Sequence, residues 1–519
     1  MLGKCPGTAL ATGSLVLLLT STASGSPAAQ AEPEWTSREL APGVEVRSGV
    51  FGAPSGDQRW TVTVRIPGGS GSGGSDPDAP ATELGTEADA HALGRELTGA
   101  GFAPRVEQVA WPMFADTPRG ALGWRVRVGE FGTKDQASAE ASRIAAAGHQ
   151  AAADWTGYDG ESAGGPWRVH VAVVDPKRFG GRVQASHGQA VTGRETTSAM
   201  SSAANAVVGV NGGFFTMQDE DGIPGEPAGV GVYGGRLQSE ATNGRVALRL
   251  GRSPKIEQLA TAVSVRSGRA QRVVNGINRK PGIIRNCGQP GGVPTERPQH
   301  DVTCTNPDEL VLLTPQLGGQ APAGEGVEAV LDAQYRVTAL RPRGGPVPAD
   351  GHVLQGIGNG ATWLTDHART GTPLVVDQQV RAGRSAVPLA GNDIVNGGPW
   401  LVRDGREYVD AATDGIVHPD DPSFVYGWGV RRQPRTMAGI DEAGRLLLVT
   451  VDGRQPDSSA GFTLLEAARF MRSLGAVDAM NLDGGGSTSF VVDGKLANSP
   501  SDPTGERAVG DALVVVPGR

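Results

Sequence analysis

The sequence predicts an α+β protein in two parts: a small βαβ–βαβ module, then a larger domain of mixed α+β structure. Three observations predict it. Glycine (78) and proline (36) are abundant while aromatics are only 5%, a composition of many turns and long loops. Between Arg59 and Trp155 a strand–helix–strand pattern runs twice. From Trp167 onward, strands repeatedly end in a polar residue followed by glycine. A chain of 519 residues is also too long for one ordinary core. Hydrophobic residues at 38% and charged residues at 20% mark it as globular. The net charge of −8 leaves no basic excess for binding nucleic acid.

Residues 1–31 read as a secretion signal. Lys4 is followed by the short apolar run "ALATGSLVLLLTSTA", and Ala29, Gln30 and Ala31 fit the small-residue rule for cleavage after Ala31. An uncleaved anchor is the alternative. Cys5 precedes the apolar run and is misplaced for lipid attachment. No later segment is long and apolar enough to span a bilayer, so a secreted, extracellular or wall-associated protein is expected. Removal of the signal leaves Cys287 and Cys304 in a Pro/Gly-rich loop. In an oxidising compartment this pair favours a disulfide over two free thiols, contributing about 3 kcal/mol. No Cys/His cluster has zinc spacing, and neither a metal nor another cofactor is expected.

The small module spans residues 57–158, after an N-terminal segment 32–56. "RWTVTVRIP" alternates as a strand, and "GGSGSGGS" is a flexible linker. "TEADAHALGRELTGAGF" is a helix with Ala92, Leu93 and Leu97 apolar, stopped near Gly99 and Gly101. "PRVEQVAW" and "GWRVRVGEF" are strands, "TKDQASAEASRIAAAG" is a helix opened by Thr133 and closed at Gly148, and "HQAAADW" is a short strand. The result is one sheet with helices on one face. "SRELAPGVEVRSG" (37–49) fits a stray strand that could belong to either part, and 159–166 reads as a linker.

The larger domain, 167–519, repeats its strand-end unit. "AVVGVNGGFF" ends at Asn211, Gly212 and Gly213; "DIVNGGPWLV" turns at Asn396; "RLLLVTVDGRQ" ends at Asp452, Gly453 and Arg454. The last unit, "TLLEAARFMRSLGAVDAMNLDGGGSTSF", is the most informative. Thr463 and Glu466 form a capping box, Leu464, Leu465, Ala468, Met471 and Leu474 recur at helical spacing, and Gly475 ends the helix. The strand Val477 to Asp483 then alternates, placing Met480 and Leu482 on one face and Asn481 and Asp483 on the other. After the glycines "STSFVV" reads as a strand, with a hairpin turn at Asp493 and Gly494.

Successive glycine N–H groups can form an anion nest, so Gly484, Gly485 and Gly486 could cradle a phosphate, helped by the hydroxyls of Ser487 and Thr488. Asp483 beside them could be a nucleophile, a base or a holder of sugar hydroxyls. The bland alternative is a tight hairpin whose aspartate caps a turn. The convergence of Asn211, Asn396, Asp452 and Asp483 at strand ends, with Arg435 and Arg454 nearby, favours an anionic sugar. "GVGVYG" lacks the strand–turn–helix context of a dinucleotide site, and "GESAG" lies in the linker without a serine-hydrolase setting.

The small module resembles the SPOR (sporulation-related) domain family through "WRVRVGEF", "KDQASAEASRI" and "AAAGHQAAADW". That resemblance implies binding to the glycan strands of peptidoglycan; the alternative is a ferredoxin-like module that only holds neighbours apart. The larger domain resembles the phosphodiester glycosidase family through "GVNGGFF", "NGGPWLV", "RTMAGID", the stretch "LLLVTVDGRQPD" to "FVVDGK", and "NSPSDPTGERAVGDAL". This resemblance implies hydrolysis of a sugar-1-phosphodiester, such as a GlcNAc-1-phosphodiester or a wall glycopolymer, to free sugar and phosphomonoester. Asp483 would be the nucleophile or base, and Asp452 a second carboxylate or sugar ligand. Arg435 and the Gly484–Gly486 nest would hold phosphate. Gly212, Asn211, Asn396, Arg454, Asn481 and Ser487 would orient the substrate, with Glu506 and Arg507 as outer members. Rival readings are a non-catalytic binder of anionic glycans and an exo-glycosidase with no phosphate requirement. Deletion of Asp57 to Tyr158 is expected to lower retention on sacculi while sparing turnover.

Overall fold

The computed structural model describes Met1, Gly3 and residues 34–67, 81–161, 164–242, 244–287, 300–418 and 420–518. The expected signal cleavage site and the "GGSGSGGS" run lie outside the described residues. The fold is mixed α+β and strand-rich, as the sequence predicts.

The small module is a four-stranded antiparallel sheet in the order Pro104–Ala110, Ala121–Phe131, Trp60–Val64, Ala151–Trp155. Thr86 and Thr133 cap its helices, Glu87–Gly99 and Lys134–Ala146, by accepting from the N–H groups of Asp89 and Gln136. Alternation divides the sheet. Val62, Val64, Val126 and Val128 pack under the helices with Leu93, Leu97, Ala137 and Ile144. Ala90, rather than the expected Ala92, joins that core. Thr61, Thr63, Arg125, Arg127 and Asp154, all buried, are the polar members of the same strands.

What covers these polar residues is the rest of the protein. Arg127 binds Asp159 through two hydrogen bonds of 2.6 and 2.9 Å and Asp154 at 2.8 Å. Arg431 pairs with the same Asp154 and with Glu83. Arg125 donates to the hydroxyl of Tyr426 at 2.5 Å. Leu84, Val109, Phe114 and Leu122 enter a hydrophobic core shared with Phe424, Tyr426 and Leu464. Asp159, which the sequence places at the start of a linker, is buried in this network. Residues 33–519 form one compact unit.

The central element is an eight-stranded sheet, ordered Thr36–Ala41, Val44–Phe51, Trp167–Val174, Leu446–Val451, Arg435–Asp441, Ala476–Asn481, Trp400–Arg403, Arg406–Glu407. The segment expected as a stray strand is thus a hairpin on this sheet, its second strand running antiparallel to Trp167–Val174 from Val44↔Val174 to Phe51↔Trp167. One face packs on the helix Leu464–Ser473. The other packs through Met480, Leu482 and Leu448 on the strands Val208–Asn211, Val246–Leu250 and Ala512–Val516. A further lobe, holding Ala260–Ser267, Leu310–Leu313, His352–Gly356 and Val375–Ala382, is inserted between the strands Lys255–Gln258 and Asp393–Asn396. Among the described residues no helix is long and apolar enough to cross a membrane.

Candidate active site

Strand ends from the central sheet and its neighbours converge on a cavity of ≈ 110 Å³. Asn481, Asp483, Gly484 and Ser487 line it from the end of the strand Ala476–Asn481, and Arg435 from the start of its neighbour. Phe214 and Phe215 line it from the turn after Asn211, and Trp428 adds a third aromatic. Arg245, Arg285, Asp301 and Arg507 complete the charged wall.

Local sequence explains the placement. The strand alternation holds as read: Met480 and Leu482 are in the core while Asn481 and Asp483 reach the cavity. The capping box of Thr463 and Glu466 is formed, and Gly475 ends the helix with φ +90°. Asn211 is fully buried and works as a clamp. Its amide donates to the Asp483 carbonyl at 2.7 Å, and its oxygen accepts from Thr436 Oγ1 at 2.6 Å and from the Ser489 N–H at 3.1 Å. Asn396 pins Phe214 through both of its backbone groups, at 2.9 and 3.1 Å. Gly213 sits so close to Asn396 that a Cβ would lie 2.6 Å from its carbonyl oxygen, so only glycine fits.

The electrostatics centre on Arg435. It is 3% exposed, and its hydrogen bonds run to the carbonyls of Phe462 (3.0 Å), Trp428 (2.5 Å) and Arg431 (3.4 Å). No carboxylate is among these partners. Burial, and then repulsion from Arg454, push its pKa down to about 9. Arg245 and Arg285, by contrast, are neutralised by Asp414 and Asp301 at 3.2 and 2.9 Å. Burial opposes ionisation of Asp301, but Arg285 and Arg245 outweigh it and hold the carboxyl below its usual range. Asn481 donates to the carbonyls of Gly398 and Leu482, while its buried Oδ1 has no hydrogen-bond partner among the described residues. Among the described residues, a cation without a carboxylate hydrogen-bond partner and an unused acceptor therefore share one cavity.

Behind the cavity, burial and then the charge of Asp414 push Asp410 from 3.8 up to about 8. The folded state thus keeps a proton that the unfolded chain releases near pH 4. This stabilisation is full below pH ~4 and is lost as pH rises through about 8. Asp410→Asn is expected to flatten that loss and raise Tm at pH 8 by about 1–3 °C, read from melting curves between pH 5 and 9.

The structure corrects several expected roles. The glycine run is a 3-10 turn, Gly485–Ser487, with the strand beginning only at Phe490. Two of the three glycine amides expected in the nest are used within the turn. Gly484 N–H donates to Asp483 Oδ1 at 3.0 Å and Gly485 N–H to the Pro434 carbonyl at 3.0 Å, so closing the turn uses both. Asp452 does not line the cavity; it accepts from Asn498 and the Ser499 N–H and holds that loop in place. Burial pushes it up to about 6. Glu506 caps the helix Thr197–Ala203 through Ser198. Arg454 donates to Gln433 rather than lining the wall. Gly212, Asn211 and Asn396 also act from behind it.

Sequence reasoning missed Phe214, Arg245, Arg285, Asp301 and Trp428. Arg285 and Asp301 arrive on the hairpin Ile283–Cys287/His300–Thr305, tied by the disulfide Cys287–Cys304. The cysteine pair was the available signal that these two strands lie side by side. The aromatics Phe214 and Phe215 were visible within "GVNGGFF".

A phosphodiester glycosidase family profile matches residues 325–516 and a SPOR domain profile matches residues 82–153. Mouse N-acetylglucosamine-1-phosphodiester alpha-N-acetylglucosaminidase is 38% identical over 111 residues, 21% of either chain. The chain thus spans about a fifth of the length of that curated relative. The crystal structure of a candidate exported protein of Burkholderia pseudomallei is similar over 95% of this chain and 97% of its own, with 34% identity and a TM-score of 0.83. A hypothetical protein from Synechocystis shares the fold at 18% identity and a TM-score of 0.53, over 92% of this chain and 75% of its own. The chain carries a SPOR domain at residues 82–153 and a phosphodiester glycosidase domain at residues 325–516.

Proposed function

We propose that this protein is an exported bacterial hydrolase that cleaves a sugar-1-phosphodiester, such as a GlcNAc-1-phosphodiester, to free sugar and phosphomonoester. The observation that carries the reading is Arg435, a buried cation whose hydrogen bonds go to carbonyls, in the cavity that also holds Asp483. A phosphodiester oxygen would supply the missing anion. Asn481 Oδ1 would accept from a sugar hydroxyl or amide, and Phe214, Phe215 and Trp428 would face the apolar side of the ring. Asp483 would face the anomeric carbon, either attacking it or taking a proton from the attacking water. The bond from that carbon to the phosphate oxygen breaks, and its electron pair leaves with the phosphate. That leaving group is a weak base, so Arg435 stabilises it without strong acid catalysis. The SPOR domain supports a location on bacterial wall glycans.

Release of sugar and phosphomonoester together from a GlcNAc-1-phosphodiester tests the reading. A phosphate-free GlcNAc glycoside should be turned over at least about 100-fold more slowly, since it leaves Arg435 unpaired. Equal rates on both would overturn the phosphate requirement. Arg435→Lys keeps the charge but loses the planar fork, and should raise KM for the phosphodiester about tenfold. An unchanged KM in a folded Arg435→Lys protein would rule against Arg435 as the phosphate ligand.

A further inference from the structure

The SPOR domain reaches the cavity from behind. The segment between its strands Pro104–Ala110 and Ala121–Phe131 docks on residues 409–416 of the glycosidase domain. Phe114 is buried in the core that also holds Val409, Ala411 and Ile416. The Ala115 N–H donates to the Val409 carbonyl at 2.7 Å. The half-buried Asp116 then turns both carboxylate oxygens on one short helix, Ala411–Asp414. Its Oδ1 accepts from the Ala412 N–H at 3.1 Å and its Oδ2 from the Thr413 N–H at 2.7 Å. These are first-turn N–H groups, which a helix cannot satisfy internally. Asp410, just before the helix, makes no side-chain cap bond to it; its carboxylate accepts from the Trp400 N–H instead. A carboxylate from the SPOR domain therefore serves in place of the cap.

What this helix carries makes its position matter. Its last residue, the buried Asp414, accepts from the Arg245 guanidinium through two hydrogen bonds, of 3.3 and 3.2 Å. Arg245 lines the cavity and lies over the Phe214 ring, 5.1 Å from its centre. Asp414 Oδ1 also stands where a Cβ on Gly398 would lie, and the Gly398 carbonyl accepts from the Asn481 amide at 3.0 Å. The next carbonyl, that of Gly415, accepts from the Asp301 N–H at 3.0 Å, and Asp301 pairs with Arg285. Ile416 is itself in the wall. Charged and apolar parts of the wall thus hang on one turn of helix. So short a helix is marginal by itself and keeps its place through what is bonded to it.

We propose that Asp116 of the SPOR domain is a positioning residue for the hydrolytic site. It fixes the helix Ala411–Asp414, and through Asp414 and Gly415 it sets the place of Arg245, Phe214 and Asp301 in the cavity wall. This rests on the phosphodiester glycosidase reading of the cavity. Asp116→Ala tests it on a GlcNAc-1-phosphate methyl diester. The fold should survive, because Thr413 is exposed and water can take over its N–H. KM should rise about fivefold, the scale of one lost helix cap, with kcat within about twofold of wild type. Asp116→Asn keeps one acceptor oxygen and should fall between the two. Ile144→Val, which trims the core of the SPOR domain itself, is the control: it should lower stability and leave KM unchanged. An unchanged KM in folded Asp116→Ala, or an equal rise in Ile144→Val, overturns the proposal. If the wild type does not cleave the diester, the reading of the cavity fails, and amide hydrogen exchange decides the positioning alone. Exchange at Asp301 about fivefold faster in Asp116→Ala and unchanged in Ile144→Val supports it. Unchanged exchange at Asp301 in Asp116→Ala overturns it.

Discussion

Asp483→Asn should lower the rate of sugar release about 1,000-fold, the scale expected for removal of a positioned base or nucleophile. The fold should survive. Asparagine keeps an oxygen for the Gly484 N–H that Asp483 Oδ1 now accepts, and the Asn211 clamp acts on the backbone carbonyl of residue 483 rather than its side chain. Tm is expected to stay within about 2 °C of wild type. Asp452→Asn is the informative control. It removes a carboxylate equally prominent in the sequence but buried behind the cavity, so its effect should appear in stability and not selectively in kcat. Steady-state assay of both variants, with sugar and phosphomonoester measured together, checks the prediction. A fully active, folded Asp483→Asn protein would remove Asp483 from the chemistry.

The second large effect concerns the seam between the SPOR domain and the rest of the chain. Arg127→Met is expected to destabilise the whole protein by about 3–5 kcal/mol, because it takes from the buried Asp154 and Asp159 the guanidinium they share and leaves each with one arginine, Arg431 and Arg125. Burial opposes ionisation at both carboxyls, but Arg431 and Arg127 outweigh it at Asp154, and Arg127 and Arg125 at Asp159. Each therefore sits below its ordinary value of 3.8. Their contribution is full above pH ~4 and is lost as pH falls further, so the seam should loosen only in acid. Deletion of Asp57 to Tyr158 is correspondingly expected to yield no folded protein, since it removes Leu84, Val109, Phe114 and Leu122 from a shared core. The sequence-based expectation that this deletion would spare turnover does not fit that core. Denaturant unfolding followed by intrinsic fluorescence should show one transition for wild type and a shifted midpoint for Arg127→Met. Two separate transitions would show that the seam is not cooperative.

The sequence was most legible where chemistry is local. A capping box, a helix-ending glycine and the alternation of Met480, Asn481, Leu482 and Asp483 are short-range patterns, and each is present in the structure. The strand-end residues were equally visible, but their destinations were not. Asn211, Asn396, Asp452 and Asp483 share one signature, a polar residue before glycine, yet only Asp483 of the four lines the cavity. The others bind backbone across long sequence separations, which a one-dimensional pattern does not encode. The glycine run makes a related point: it offers N–H groups, but the closing turn takes those of Gly484 and Gly485. Arg125 and Arg127 alternate on a strand as read, but the partners that bury them, Asp159 and Tyr426, are distant in the chain.

The polar side of the SPOR sheet is spent on holding the glycosidase domain. Whatever that module grips, it must grip with its helices, edges or loops. The compact unit also removes the freedom of a tether. A catalytic domain on a flexible leash sweeps a volume set by linker length. Here the mouth of the cavity would keep a fixed stand-off and a fixed heading relative to any surface the module holds. Susceptible bonds would then be selected by their height and orientation on that surface as much as by their chemistry.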